Sequence, residues 1–283
     1  MTAPADPTER GYALVAAVVA MAVCALAALA IAESGRVAVI GGEGEWARAR
    51  AEAAADAGFA ITLHHLAALD DSALQAIDGL PRTINLDGAT ITVRVIDERG
   101  KIAINRAEDD TIARMLEQAG LDGDRLAQAR DSLLDWIDDD DQPRAHGAET
   151  PDYARTGIAP RNSSLLSIDE LARVRGFSPA LVDRLRPYVT VDADALPFDP
   201  KHAQPRALAA MTANADLSPD VIERTREQEG EQVALAGGDP RDLLHRPVTI
   251  AVDAQVPGGH AHHDTVVILT GKPDHPWDIH ATN

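Results

Sequence analysis

Carboxylates crowd most densely between Asp131 and Asp152, where eight acidic side chains face a single basic one, Arg144. Four of them, Asp138 to Asp141, are consecutive. Neighbouring charges of one sign repel, so a folded arrangement needs either a cation or wide exposure to water. The hard-cation option is calcium, which takes about six to eight oxygens and tolerates irregular loops. Asp138, Asp140, Gln142 and Glu149 stand at relative positions 1, 3, 5 and 12, the spacing of an EF-hand loop. Pro143 occupies position 6, where that loop needs glycine, and Pro151 prevents an immediate exiting helix, so this is not an EF-hand. A filled cation site and a solvated acidic turn therefore both stand as readings. A second donor set, Gly259-His260-Ala261-His262-His263-Asp264, can bind a transition metal through imidazoles. Its expected place is the turn between two strands, where clustered histidines are usually solvated. His64 and His65 project from adjacent faces of a helix and cannot chelate together. Catalytic signals are missing: Ser163 and Ser164 have no glycine-elbow context, and there is no phosphate loop, dinucleotide fingerprint or HExxH. The single cysteine, Cys24, excludes a CxxC site.

The chain's charge is −19, from 26 basic and 45 acidic residues in 283. That balance opposes a general nucleic-acid binder, which must displace counterions from phosphates, and adsorption to an anionic lipid surface. With aromatics at 3%, the core must be aliphatic and rich in alanine.

Tyr12 to Ala32 carries no charge. At about 1.5 Å per helical residue it spans roughly 30 Å, the hydrocarbon thickness of a bilayer. Three readings compete: a secretory signal peptide, a plain membrane anchor and a prepilin-like leader. A signal peptide has a shorter apolar stretch and a basic start, whereas here Arg10 is flanked by Glu9 and preceded by Asp6. Arg10-Gly11-Tyr12-Ala13-Leu14-Val15 resembles the type III signal of pilins and pseudopilins. The resemblance implies cleavage after Gly11 on the cytoplasmic side and an N-methylated Tyr12 as the first mature residue. Most members carry glutamate five residues after the cut, where it neutralises a neighbour's amine; Ala16 stands here, as befits a tip subunit.

These elements need positioning. Glycines 35, 41, 42 and 44 mark a hinge. Trp46 to Leu69 then reads as a helix with a stripe through Trp46, Ala49, Ala53, Ala57, Ala60 and Leu63. Thr83–Leu86, Asp87-Gly88 and Ala89–Ile96 read as a hairpin, with Ile91, Val93 and Val95 on the buried face. Arg99-Gly100 turns into a further strand, Lys101–Ile104. Far along the chain Val248, Ile250 and Val252 alternate, Gly258-Gly259 turns, and Thr265–Leu269 returns. Strands on both sides of a helical middle predict an insertion between two parts of one antiparallel sheet. In that middle, Thr111–Ala119 buries Ile112, Met115 and Leu116 and stops at Gly120; Arg125–Ile137 follows. Ser167-Ile168-Asp169-Glu170 predicts a capping box opening a helix that ends at Gly176, and Ser178-Pro179 opens another, as Ser218-Pro219 does later. Trp136 and Tyr188 are expected as packing residues.

Leu133-Leu134-Asp135-Trp136-Ile137-Asp138, then Asp140-Asp141, Gly147-Ala148-Glu149 and Tyr153, form a specific pattern. So do Arg161-Asn162, Ser167 to Leu171, Val174, Gly176 and Arg186-Pro187-Tyr188-Val189-Thr190-Val191, with Gly100-Lys101-Ile102 before Asn105. Together they resemble the minor pseudopilin K family of the type II secretion system, over roughly 10–191. The resemblance implies an α+β fold: a pilin-like long N-terminal helix, transmembrane at its start, packs on an antiparallel sheet, with a large all-α domain inserted between the strands. The expected division is leader 1–11, transmembrane helix 12–32, helix and first strands 33–104, inserted α-domain 105–191, and a C-terminal helical segment with closing strands 192–283. It further implies a structural Ca²⁺ held by some of Asp138, Asp140, Asp141 and Glu149. No enzyme is expected. The implied role is capping the pseudopilus tip and helping to start its assembly for export of folded proteins across the outer membrane. Expected partners are the other minor pseudopilins, the major pseudopilin, prepilin peptidase, the inner membrane and secreted substrates, with the bulk of the chain in the periplasm. The alternative is a membrane-anchored helix–hairpin–helix DNA-binding module around Ile168–Val189; Phe177-Ser178 in place of a second glycine and the acidic surroundings oppose it.

Overall fold

A computed structural model describes residues 44–70, 73, 76–77, 79–154, 157–193, 196–211 and 240–282, together with Met21. Gly11, Tyr12, Ala16, Ser218-Pro219 and, Met21 aside, the apolar run 12–32 lie outside the described residues. Among the described residues no helix is long and apolar enough to cross a membrane.

In chain order the elements are helix α1 (44–67), strands β1 (Arg82–Leu86), β2 (Ala89–Asp97) and β3 (Ile102–Ala103), and helices α2 (Asp109–Gln118), α3 (Gly123–Ile137), α4 (Thr150–Tyr153) and α5 (Pro179–Leu185). Strand β4 (Val189–Thr190), helix α6 (Pro205–Met211) and strands β5 (Pro247–Val256), β6 (Gly259–Lys272) and β7 (His275–Thr282) complete them. The fold is α+β. Five strands form one antiparallel sheet in the order β1-β2-β5-β6-β7.

The β1–β2 hairpin closes on Asp87 and Gly88, both with positive φ (47° and 78°), the conformation a two-residue turn demands. Beyond it Ile91, Val93 and Val95 are buried while Thr90 and Arg94 are exposed, so the alternation read from sequence sets the register. β2 and β5 pair directly, Asp97 opposite Val248, although the chain between them is about half the protein. The helical lobe is thus inserted between two hydrogen-bonded neighbours.

α1 lies on the sheet through Ala47, Ala51, Ala54, Ala55, Leu63 and Leu66. The stripe expected from sequence is therefore shifted: Trp46 is 74% exposed, Ala49, Ala53 and Ala60 face solvent, and Leu63 alone is common to both. An alanine-rich helix has no unique apolar phase, and the floor decides. A Cβ on Gly58 would fall 2.6 Å from Ile91 Cγ2, and one on Gly259 would fall 2.3 Å from the Ala47 carbonyl oxygen. The helix turns its smallest residues to a floor already filled by branched side chains.

At the end of β2 the chain leaves the sheet through a buried polar junction. Asp97, 2% exposed, accepts from the Arg99 backbone N–H (2.9 Å) and guanidinium (2.9 Å) and from Arg246 (3.3 Å). Glu98, 1% exposed, pairs with Lys101 at 2.6 Å and accepts from the Thr249 hydroxyl. The strand expected at Lys101–Ile104 is not part of the main sheet. Ile102–Ala103 pairs in parallel with Val189–Thr190, and the Ile102 N–H donates to the Tyr188 carbonyl at 2.9 Å. This short clasp ties the entrance of the insertion to its far end.

The insertion has its own core, built on Ile102, Ile112, Met115, Leu133, Trp136 and Tyr188. Each such large apolar side chain contributes about 1.5–3 kcal/mol of burial. Trp136 meets Tyr153 edge-on at 5.3 Å. α2 ends at Gly120 (φ 86°), and Ser178 Oγ accepts from the Leu181 N–H at the start of α5, both as the sequence indicates. The capping box at Ser167 does not form. Ser167 Oγ accepts from Asp169 N at 3.1 Å, the turn Ile168–Arg173 is 3-10, and Glu170 reaches away to Trp136 Nε1 (3.0 Å) and Leu166 N (3.2 Å). The buried indole N–H needs an acceptor, and that need outranks the cap.

Candidate metal centre

α3 aims its acidic residues inward. Asp131 and Asp135 are 3% and 0% exposed, yet both are satisfied. Asp131 accepts from Arg130 (2.7 Å) and from the His146 backbone N–H (3.1 Å). Asp135 accepts from the Arg144 backbone N–H (3.2 Å) and guanidinium (2.8 Å). These bonds fold the loop 138–149 back over the end of α3. Arg144, the one arginine or lysine within the loop 138–149, also bonds Asp138 Oδ2 at 2.5 Å. Its pKa is raised, against the effect of burial, by its hydrogen bonds and charge contacts with Asp135 and Asp138.

Among the described residues, three buried carboxylate oxygens of the loop have no hydrogen-bond partner: Asp138 Oδ1 and both oxygens of Glu149. Glu149 is 2% exposed. Burial first, and then the charges of Asp135, Asp138, Asp141 and Asp140, push its carboxyl up to about 7. One oxygen each from Asp138, Asp140 and Glu149 lie within 4.8 Å of one another. Calcium bonds oxygens at about 2.3–2.6 Å, so ligands on opposite sides of an ion stand about 5 Å apart, and the trio fits that span. Orphaned buried oxygens and a raised acid describe a place that lacks positive charge.

Of the four expected ligands the structure therefore gathers Asp138, Asp140 and Glu149. Asp141 is turned outward, its Oδ1 receiving Asn162 Nδ2 at 3.0 Å. Gln142, at the fifth loop position, donates its backbone N–H to Asp140 Oδ1 at 2.8 Å. The sequence reading missed Asn162 as a member of this centre. It sits at φ 47°, a conformation asparagine tolerates, and donates also to the Asp140 carbonyl at 2.9 Å. Among the described residues its own Oδ1 is buried without a partner.

Elsewhere, His64 and His65 are exposed on α1. The His260–His263 motif is not in a turn. The turn is at 257–258, and the histidines lie within β6 in register with β5. The helix–hairpin–helix segment is packed into the lobe. A Cβ on Gly176 would fall 3.0 Å from Ala129 Cα, and the Arg175 N–H donates to the Tyr153 hydroxyl at 3.0 Å. The Arg175 and Phe177 amides are thus engaged within the lobe.

Comparison with known proteins bears on the same region. Residues 68–194, which contain the acidic loop, match the family described as type II secretion system (T2SS), protein K. The chain is similar to type II secretion system protein K of Klebsiella pneumoniae, 36% identical over 124 residues, covering 39% of this chain and 38% of that protein. It is likewise similar to protein K of Dickeya chrysanthemi, 33% identical over 116 residues, with coverage of 40% and 32%. The matches thus span about a third to two-fifths of these curated relatives' own length. Among solved structures it is similar to a chain of the GspK-GspI-GspJ complex from the type 2 secretion system of enterotoxigenic Escherichia coli. That match has 17% identity and a TM-score of 0.49, covering 82% of this chain and 98% of that one.

Proposed function

We propose, with residues 68–194 taken as a type II secretion system protein K domain, that this chain is a minor pseudopilin that caps the pseudopilus tip. In that role it helps start assembly of the pseudopilus, which exports folded proteins across the outer membrane. The observation that carries the reading is the family match across strands β1 and β2 and the first part of the inserted lobe, through β4. Other features support it. A polar leader ends in Gly11 before the uncharged run from Tyr12, and Ala16 stands where most pilin-like subunits carry glutamate. A subunit with no neighbour above it does not need that glutamate, and a bulky lobe between β2 and β5 obstructs further stacking.

On this reading prepilin peptidase cuts after Gly11, Tyr12 becomes the methylated N-terminus, and 12–32 anchors the chain in the inner membrane with the remainder in the periplasm. The other minor pseudopilins and the major pseudopilin are its partners, and secreted substrates lie within its reach. The role is structural. Ca²⁺ held by Asp138, Asp140 and Glu149 would order the loop that closes α3; the three orphaned buried oxygens support that assignment. Deletion of the coding sequence in its host should leave secreted proteins in the periplasm, and the full-length chain should restore export and co-purify with the other minor pseudopilins. Unchanged export in the deletion strain would overturn the assignment.

A further inference from the structure

The outward face of the main sheet carries a second constellation, and it is independent of the reading above. Asp253 on β5 stands directly opposite His262 on β6, and Gln255 opposite His260, so His260 and His262 share the face on which Asp253 lies. One oxygen, Asp253 Oδ1, lies 2.9 Å from His262 Nδ1 and 3.5 Å from His260 Nε2. The other, Oδ2, faces Arg94 across the sheet at 3.8 Å. Behind His262, its second nitrogen Nε2 lies 3.4 Å from Asp264 Oδ1, an oxygen that is buried and accepts no hydrogen bond among the described residues. His263 points to the opposite face, where it meets Glu52 at 2.6 Å.

We propose that Asp253, His260 and His262 bind a divalent transition metal of the zinc–copper class on this face. Imidazole and carboxylate donors suit such metals, and at bond lengths of about 2.0–2.2 Å neighbouring tetrahedral ligands stand roughly 3.3 Å apart. The two spacings to Asp253 Oδ1 bracket that value. As they stand, the three donor atoms do not all lie within 4.8 Å of one another; Asp253 and His262 are adjacent, and His260, whose side chain is 55% exposed, must rotate to complete the set. Asp264 supplies what metal-ligating histidines almost always have, a carboxylate on the other ring nitrogen that fixes the tautomer and raises basicity. In the metal-free protein the Nδ1 proton of His262 points to Asp253. On binding, the neutral ring changes tautomer: Nδ1 releases its proton to solvent and takes the metal, while Nε2 takes up a proton from solvent and donates it to Asp264. The fourth position is left to water.

The test is calorimetry with ZnCl₂ on the full-length chain in detergent micelles, with Ca²⁺ present to occupy the acidic loop, followed by Co²⁺ absorption as a coordination signature. One Zn²⁺ per chain is expected at about pH 7.5, with at least tenfold weaker binding at about pH 5.5, because a metal needs the imidazole lone pair that a proton takes in acid. H260A and H262A should each weaken binding at least tenfold, and D264N by about tenfold or more, the usual cost of removing such a carboxylate. H263A, on the other face, should bind as the parent does. Circular dichroism of each variant checks folding. Absent zinc binding, affinity indifferent to His260 and His262, or equal loss in H263A would each overturn the proposal.

Discussion

Gly147 and Asp135 approach so closely that a Cβ on the glycine would lie 1.8 Å from Asp135 Oδ2. Nine residues of loop separate α3's end from this contact, and the loop they form carries Arg144 to both Asp135 and Asp138. G147A must displace the buried carboxylate or the loop. The expected cost is about 1–3 kcal/mol, typical of overpacking, read as a lowered melting temperature with weaker calcium binding.

Glu149 makes the calcium-free protein pH-sensitive. Its carboxyl titrates near 7 in the fold against 4.5 ordinarily. Between those values the folded state holds the extra proton, so folding stability contributed by this group falls as pH rises. Melting in chelator should show the loss developing from about pH 4.5 to above 7, and saturating Ca²⁺ should remove it. E149Q should abolish that pH component and bind calcium poorly. A melting temperature that rises over the same window in chelator would contradict the assignment.

Calcium itself should stabilise by mass action. At a free concentration about a hundredfold above Kd, one site adds about 2.7 kcal/mol. Differential scanning calorimetry with and without chelator measures this, and the gain should vanish in a D138N/E149Q double variant.

Asp97 is the keystone between sheet and insertion. D97A takes from the buried Arg246 the carboxylate it pairs with and leaves Arg99 with Asp199 alone. Removing one partner of a buried ion pair costs about 3–5 kcal/mol, so D97A should unfold at clearly lower denaturant than the parent. D97N should fall between the two.

The sheet's first hairpin and helices α2 and α3 were legible because alternation, a turn dipeptide and a stop glycine act over a few residues. The α1 face was not, because alanine on all sides leaves the phase to Ile91 and Val252 across the gap. Strand β7 went unread: Pro276 and the charged residues around Trp277 break any alternation. In the metal centre the carboxylates were visible by type and spacing. Asn162 and the separation of Asp141 from the trio depend on a contact across 21 residues of chain. Likewise, Glu170 abandons its cap only because Trp136, 34 residues earlier, arrives beneath it.

The N-terminal residue of the mature chain, read by mass spectrometry on protein extracted from host membranes, decides whether this is a pilus-like tip subunit. A pilus-like tip subunit should begin at a methylated Tyr12, and replacing Gly11 with a large residue should leave the uncut precursor. A mature chain beginning near Ala30, or one retaining Met1 to Gly11 in the presence of active prepilin peptidase, would contradict that assignment.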